Sequence, residues 1–144
     1  MNRRLFFSAL AALLLLPLVT LAAEPVAKPA KPLHVARGSE VKLTDYLVPG
    51  KTVIFDFYSD YCGPCVEMSP KLEKLHAARA DVVVVKVDIN RPGTKGIDWK
   101  SPVARQYELH SIPHFKVYGP NGKLLAEDNS PAAPARQMVM GLMK

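Results

Sequence analysis

Two runs of β-branched and aromatic residues constrain the fold of this 144-residue chain more than any other feature. Residues 52–58 read Thr-Val-Ile-Phe-Asp-Phe-Tyr, and residues 81–88 read Asp-Val-Val-Val-Val-Lys-Val-Asp. Such nearly continuous apolar runs are typical of strands that are buried on both faces of a sheet. A helix-length segment separates them, which predicts a strand–helix–strand unit in the parallel part of a mixed sheet. The sequence therefore predicts an α/β fold, with helices on both faces of a central sheet.

The remaining segments predict the other elements of a mixed sheet. Apolar residues at helical spacing predict a helix over residues 62–79, interrupted by Pro70. The other predicted elements are a short helix or turn at Val41–Leu47, a Gly/Pro-rich loop at Arg91–Lys100, a short helix near Pro102–Leu109, a hairpin of His114–Tyr118 and Lys123–Glu127 around the turn Gly119–Gly122, and a closing amphipathic helix at Pro134–Met143.

Residues 1–23 have the features of an export signal. Arg3 and Arg4 precede an apolar stretch from Leu5 to Leu21, and the small residues Ala22 and Ala23 offer a cleavage site. The apolar stretch is also near the lower limit of about 17–25 residues that can span a bilayer. An uncleaved N-terminal anchor is therefore the alternative, and in both cases the rest of the chain is expected to be exported.

The rest of the chain is predicted to be one domain preceded by a linker. Residues 24–40 are rich in Pro, Ala and Lys and are interpreted as an extended linker, which leaves residues 41–144 as the domain. The formal charge of +6 falls to +4 without Arg3 and Arg4, and no basic run is interleaved with aromatic residues. The composition therefore argues against nucleic-acid binding.

The chain has two cysteines, in the order Cys62-Gly63-Pro64-Cys65. A structural disulfide across so short a loop adds only about 2 kcal/mol to the free energy of unfolding, so it would stabilise a domain of this size only weakly. A metal site would need further ligands, and His76, His110 and His114 are the candidates. His110 and His114 have a His-x3-His spacing, but they lie much further from the cysteines than the spacing of about 12–15 residues in zinc fingers.

Redox chemistry is the third interpretation of the cysteine pair, and the position of the pair in the sequence favours this interpretation. Cys62 follows a buried strand and begins a helix, where unpaired backbone N–H groups and the helix dipole favour a thiolate. Pro64 lies in the first turn, where its missing N–H costs nothing. Cys65, one turn further on, can attack a mixed disulfide on Cys62. The pattern predicts that one thiol attacks and the other resolves.

The chain resembles the thioredoxin family over about residues 40–144. The stretch from Val53 to Cys65 resembles the family's central strand and active-site helix, Pro70 lies where that helix is kinked, and Ile112-Pro113 resembles its cis Ile–Pro. The resemblance implies a thioredoxin fold, a thiol–disulfide oxidoreductase, and a redox-active Cys62–Cys65 disulfide. It implies no dissociable cofactor and no metal.

The resemblance also implies roles for further residues. Asp56 matches the family's buried acid, whose pKa is raised by burial and which takes the proton of Cys65. Lys86 matches the lysine partner of that acid. On the residues alone, Asp56 could be a strand-edge residue and Lys86 a lysine that reaches the surface. The expected substrate-binding residues are Tyr61, Gly63, Pro64, Ile112 and Pro113.

Some residues depart from the family's pattern. Tyr58 and Tyr61 stand where thioredoxins commonly have Trp, and Val66 replaces a basic residue. Extra residues around 96–101, including Trp99, are either a neutral insertion or a segment that contacts a partner. His114 replaces a common Thr, and we expect a solvated histidine, with modulation of the Cys62 thiolate as the alternative.

The expected function is reduction of disulfides in exported proteins, in a bacterial periplasm. Because that compartment is oxidising, the enzyme would need an electron donor, such as a membrane-bound thiol relay. The chain is expected to act as a monomer, with membrane contact only if residues 1–23 stay attached. The alternatives are a dedicated reductase for cytochrome c maturation and a non-catalytic thioredoxin-like binding module.

Overall fold

The computed structural model of the protein describes residues 26–144, so the signal or anchor predicted at residues 1–23 lies outside the described part. The strands are β1 (Leu33–Val35), β2 (Thr52–Tyr58), β3 (Val82–Asp88), β4 (His114–Tyr118) and β5 (Leu124–Glu127). The α-helices are α1 (Gly63–Ala78), α2 (Pro102–Gln106) and α3 (Pro134–Leu142), and a 3₁₀ helix covers Leu43–Tyr46. Within residues 26–144, every helix is too short or too polar to cross a membrane.

The five strands form one mixed sheet in the order β1-β3-β2-β4-β5. β2 and β3 are parallel, with Asp56 opposite Lys86, and α1 connects them. β1 extends the parallel part on the far side of β3, whereas β4 and β5 are antiparallel to their neighbours. The predicted α/β architecture and mixed sheet are confirmed.

Each face of the sheet carries its own apolar core. Phe55 and Phe57 face the side covered by the 3₁₀ helix and α2, whereas Ile54 faces α1 and α3. Side chains alternate along a strand, so Asp56 lies on the α1 face, two residues after Ile54. The burial of nearly all of β2 and β3 matches the continuous apolar runs that predicted them.

The prediction of a linker over residues 24–40 is wrong for its central part. Residues 33–35 form β1, which pairs with β3 and places Leu33 opposite Val85. Before β1, the Lys28 ammonium donates hydrogen bonds to the carbonyl oxygens of His76 and Arg79 at the end of α1. A three-residue edge strand has no compositional signal of its own, because its partner strand supplies the ladder that fixes it.

His76 holds this N-terminal segment against the body of the domain. Its buried imidazole accepts a hydrogen bond from the Val84 N–H at Nδ1 (3.0 Å). Nε2 therefore carries the proton and donates to the Pro29 carbonyl oxygen (2.9 Å). Burial lowers the pKa of His76, which keeps the ring neutral. This histidine, a candidate metal ligand on sequence grounds, is engaged at both ring nitrogens.

We predict that His76→Ala lowers the free energy of unfolding by about 2–4 kcal/mol. The substitution leaves the Val84 N–H without its acceptor in the core and removes buried volume. Urea unfolding at pH 7 measures the loss. Glu73→Ala, an exposed position on the same helix, is the control and should change stability by less than about 0.5 kcal/mol. Equal losses in the two variants would contradict the role given to His76.

Candidate active site

The two cysteines lie where β2 leads into α1. They form a disulfide with an S–S distance of 2.11 Å, and both residues are buried. Cys62 is the N-cap residue of α1, and its sulfur accepts a hydrogen bond from the Cys65 N–H at 3.2 Å. An N–H group and the positive end of the helix dipole therefore face this sulfur, and both favour a thiolate there after reduction.

The second side of the site is the segment that leads into β4. The Ile112–Pro113 peptide bond is cis, as predicted. The Ile112 carbonyl oxygen lies 3.6 Å from the Cys62 sulfur. Ile112 and Ile97 pack against the small cluster of Tyr58, Cys62 and Cys65. The disulfide is thus enclosed by apolar side chains on one side and the helix start on the other.

The residues predicted to bind substrate surround this disulfide to different degrees. Tyr61 is 56% exposed, and Gly63 and Pro64 are exposed in the first turn of α1. Ile112 is half-buried and Pro113 is buried. The structure brings these residues to the two segments that flank the disulfide. Their contact with a substrate stays a prediction.

Asp56 is the buried acid of the site. It has no solvent exposure, and both carboxylate oxygens lack a hydrogen-bond partner among the described residues. Burial raises the pKa of Asp56 to about 7, and the opposing attraction of Lys86 is the weaker influence. The carboxyl faces α1, whose first turn contains Cys65. It is a group that can take up and release a proton near neutral pH.

Lys86 influences Asp56 by charge. It is only 3% exposed, so it does not reach the surface. It lies opposite Asp56 in the β2–β3 register, but its ammonium donates a hydrogen bond to the Ser69 hydroxyl of α1. The ammonium also lies 4.3 Å from the centre of the Tyr58 ring. Lys86 is therefore a second buried charge near Asp56, but its hydrogen bond is to Ser69 and not to the Asp56 carboxylate.

The expectation of a solvated His114 is wrong. The side chain is buried against the Phe57 ring, and Nε2 lacks a hydrogen-bond partner among the residues described. Its pKa is lowered, chiefly by burial, although Asp128 and Glu127 oppose the shift. The ring is neutral at neutral pH and adds no positive charge near the Cys62 thiolate. The residue after a cis proline begins β4, which turns this side chain into the core.

A loop residue that the sequence did not single out borders the site. Ile97 reaches the disulfide cluster from the loop between β3 and α2. Its neighbour Asp98 is buried and ion-paired with Arg91, with Nε–Oδ2 at 2.7 Å. The signal in the sequence that could have identified Ile97 is an apolar residue within a loop of mainly polar residues. The pairing of Arg91 with Asp98 was not readable from their spacing.

The structure gives no support to a metal site that includes the two cysteines. Within residues 26–144, no three His, Cys, Asp or Glu side chains are grouped so that they could hold a metal ion.

The chain is similar in sequence to proteins of the thioredoxin family. The family model described as Thioredoxin matches residues 39–143. Thioredoxin-1 from Schizosaccharomyces pombe is 32% identical over 94 residues, which are 65% of this chain and 81% of that protein. The chloroplastic thioredoxin F-type from Mesembryanthemum crystallinum is 34% identical over 77 residues. That match covers 54% of this chain and 36% of the longer plant protein.

Solved structures show the same fold. A mutant thioredoxin from Halobacterium salinarum superposes with a TM-score of 0.54 at 23% identity, covering 82% of this chain and 96% of that chain. Thioredoxin f2 from Chlamydomonas reinhardtii gives a TM-score of 0.50 at 30% identity, covering 67% of this chain and 81% of that chain.

We predict that Asp56→Asn stabilises the oxidised protein at high pH. The pKa of Asp56 is about 7 in the folded protein, against 3.8 for the unperturbed group. The folded state therefore binds more protons between these values, and stability falls as the pH rises from 4 through 7. Above pH 8 the variant should exceed the wild type by about 2 kcal/mol or more.

Urea unfolding from pH 5 to pH 9 measures this difference. Asp45→Asn, at an exposed carboxylate, is the control and should follow the wild-type profile. A constant difference between Asp56→Asn and the wild type at all pH values would show that Asp56 does not titrate near 7.

Proposed function

The chain belongs to the thioredoxin family, and on that premise we propose that it reduces disulfides of exported proteins. The family's chemistry is thiol–disulfide exchange, and Cys62 and Cys65 are at disulfide distance. The protein is therefore a thiol–disulfide oxidoreductase. The direction of exchange, the clients, the compartment and the individual residue roles make up the proposal. The observation that carries it is the Cys62–Cys65 disulfide at the start of α1, the helix that covers the sheet face of the buried Asp56 carboxyl, which has no hydrogen-bond partner among the described residues.

The first step is attack of the reduced enzyme on a client disulfide. The Cys62 thiolate attacks one client sulfur and forms a mixed disulfide, and the other client sulfur leaves as a thiolate that takes a proton from water. The Cys65 N–H and the helix dipole stabilise the attacking thiolate. The Ile112 carbonyl and Pro113 line the side from which the client segment approaches.

The second step releases the client. Asp56 takes the proton of Cys65, and the resulting thiolate attacks the Cys62 sulfur of the mixed disulfide. The Cys62–Cys65 bond forms, and the remaining client sulfur leaves as a thiolate that takes up a proton returned by Asp56. Two electrons have then passed to the client. A pKa of about 7 suits Asp56 to this transfer, because the carboxyl can accept a proton and return it at neutral pH.

Three features favour reduction over oxidation. Gly63-Pro64 is the dipeptide that the reductive thioredoxins carry between their cysteines. Val66, which is 54% exposed, leaves the position after Cys65 without a positive charge. His114 is neutral, since burial lowers its pKa. Because neither Val66 nor His114 adds a positive charge, we expect the Cys62 thiolate to be stabilised only moderately, whereas strong thiol oxidants need a strongly stabilised thiolate.

The proposed compartment follows from residues 1–23, whose sequence favours export. In an oxidising periplasm the Cys62–Cys65 disulfide must be reduced again after each turnover. We propose a membrane-bound thiol relay as the electron donor. Its thiolate would attack the disulfide by the reverse of the client reaction, and no dissociable cofactor of this chain is required.

Trapping of mixed disulfides tests the proposal. In Cys65→Ser the resolving thiol is missing, so clients should stay bound to Cys62 through a disulfide. Cys62→Ser is the matched control and should capture none, because the attacking thiol is gone. The variants are expressed as the full chain, free thiols are blocked with acid and alkylation, and captured proteins are identified by mass spectrometry.

We expect Cys65→Ser to capture exported proteins that contain disulfides, and we expect Cys62→Ser to capture none. Equal capture by both variants would contradict the assignment of Cys62 as the attacking thiol. Capture limited to proteins without an export signal would contradict the proposed compartment.

A further inference from the structure

The loop between β3 and α2, residues 89–101, runs beside the disulfide; we name it the Asp98 loop. Ile97 of this loop packs against the cluster of Tyr58, Cys62 and Cys65, as does Ile112 from the other side. Ile97 also contacts the core that the 3₁₀ helix and α2 cover. The loop therefore supplies part of the apolar surroundings of the reactive sulfurs.

Asp98 fixes the shape of this loop. Its buried carboxylate accepts two hydrogen bonds from the Arg91 guanidinium, at 2.7 and 3.0 Å. The Asp98 N–H donates to the Asn90 side-chain oxygen, and the Asn90 amide donates to the Gly96 carbonyl oxygen at 2.6 Å. Bidentate pairs of this kind are specific in geometry. These bonds stabilise a defined loop conformation, which reduces the entropy lost on binding.

This conformation directs two neighbouring apolar side chains differently. Ile97, before Asp98, points to the disulfide cluster, whereas Trp99, after it, is 39% exposed. Trp99 borders a depression with Leu109 and His110, the residues that lead to Ile112. Arg105 and Glu108 also line this depression, and His110 lies two residues before Ile112, which connects the depression along the chain to the Ile112 side of the site. Tryptophan buries a large area at low entropic cost, and it is enriched among residues that dominate binding energy.

We propose that Trp99 and Ile97 form a specificity contact for a large apolar side chain next to the client's disulfide cysteine. The partner is an extended protein segment that passes between the Asp98 loop and the start of α1. Its cysteine sulfur meets Cys62, and the neighbouring apolar side chain covers Trp99. This inference rests on the proposed function, because it concerns the clients of the same disulfide exchange.

Apolar chemistry is favoured over charge at this contact. Ile97 and Ile112 are the loop side chains beside the sulfurs, and the charge of Asp98 is neutralised by Arg91 within the loop. The two charged residues that line the depression at Trp99, Arg105 and Glu108, are opposite in sign. The Arg91–Asp98 pair also holds the pKa of Asp98 down at about 2, so the loop keeps its shape across the neutral range. A client with a polar residue at this position would leave Trp99 in water and gain little.

The test compares two disulfide peptides that differ only beside one cysteine, where one has Leu and the other has Ser. Single-turnover reduction by the reduced full-length protein gives a second-order rate constant for each peptide. The wild type should prefer the Leu peptide by about tenfold, and Trp99→Ala should reduce that ratio to about two or less. Trp99→Phe should retain most of the preference. Leu124→Ala, at an exposed apolar position on β5, should keep the wild-type ratio.

A second measurement does not depend on the variants at Trp99. The chain has a single tryptophan, so intrinsic fluorescence reports on Trp99 alone. The stable mixed disulfide of Cys65→Ser with the Leu peptide should shift the emission to shorter wavelength. The Ser peptide should shift it less, because its side chain leaves the indole hydrated.

The outcomes separate this inference from the proposed function. An equal rate for the two peptides in the wild type, or an unchanged ratio in Trp99→Ala, overturns the specificity contact while disulfide reduction stands. Identical emission spectra in the two mixed disulfides overturn it as well. If the reduced wild type reduces neither peptide nor the small disulfide hydroxyethyl disulfide, the proposed function fails, and the inference fails with it.

Discussion

The burial of Asp56 is the constraint on which the rest of the site depends. A carboxyl group without solvent or hydrogen-bond partners is costly in the middle of a core strand. The fold tolerates it because the group can be protonated near neutral pH and because Lys86 lies opposite in the next strand. The same sheet position places the acid under the start of α1. The Asp56 carboxyl and the helix that begins at the Cys62–Cys65 disulfide thereby lie on the same face of the sheet. The proposed chemistry needs both groups.

Two other buried polar side chains, His76 and Asp98, have the hydrogen-bond partners that Asp56 lacks among the described residues. His76 uses both ring nitrogens to join residues before β1 to α1 and β3. Asp98 gathers Arg91 and the surrounding loop into one conformation. The Asp98 network orders the loop that presents Ile97 to the disulfide, and the His76 network joins the N-terminal segment to the far end of α1. The Asp56 oxygens have no hydrogen-bond partner among residues 26–144, and burial raises the pKa of Asp56 to about 7, which fits the proton transfer proposed for it.

The sequence predicted the parts of the fold that depend on long apolar runs and on local motifs. β2 and β3 were evident because strands buried on both faces need continuous apolar residues, and Cys62 and Cys65 were evident because their spacing fits one helical turn. β1 was missed, since a three-residue edge strand is defined by its partner's backbone. The burial of His114 and the pairing of Arg91 with Asp98 were also missed, because both depend on contacts that only the tertiary fold creates.

The reduction potential of the Cys62–Cys65 pair tests the central claim most directly. The Cys65 N–H and the helix dipole stabilise the Cys62 thiolate after reduction, and neither Val66 nor the neutral His114 adds a positive charge. Equilibration of the full-length protein with thiol redox buffers at pH 7 measures the potential. We predict a value between about −270 mV, as in thioredoxin, and about −200 mV. A value near about −120 mV, typical of strong thiol oxidants, would contradict it and would indicate that the protein introduces disulfides.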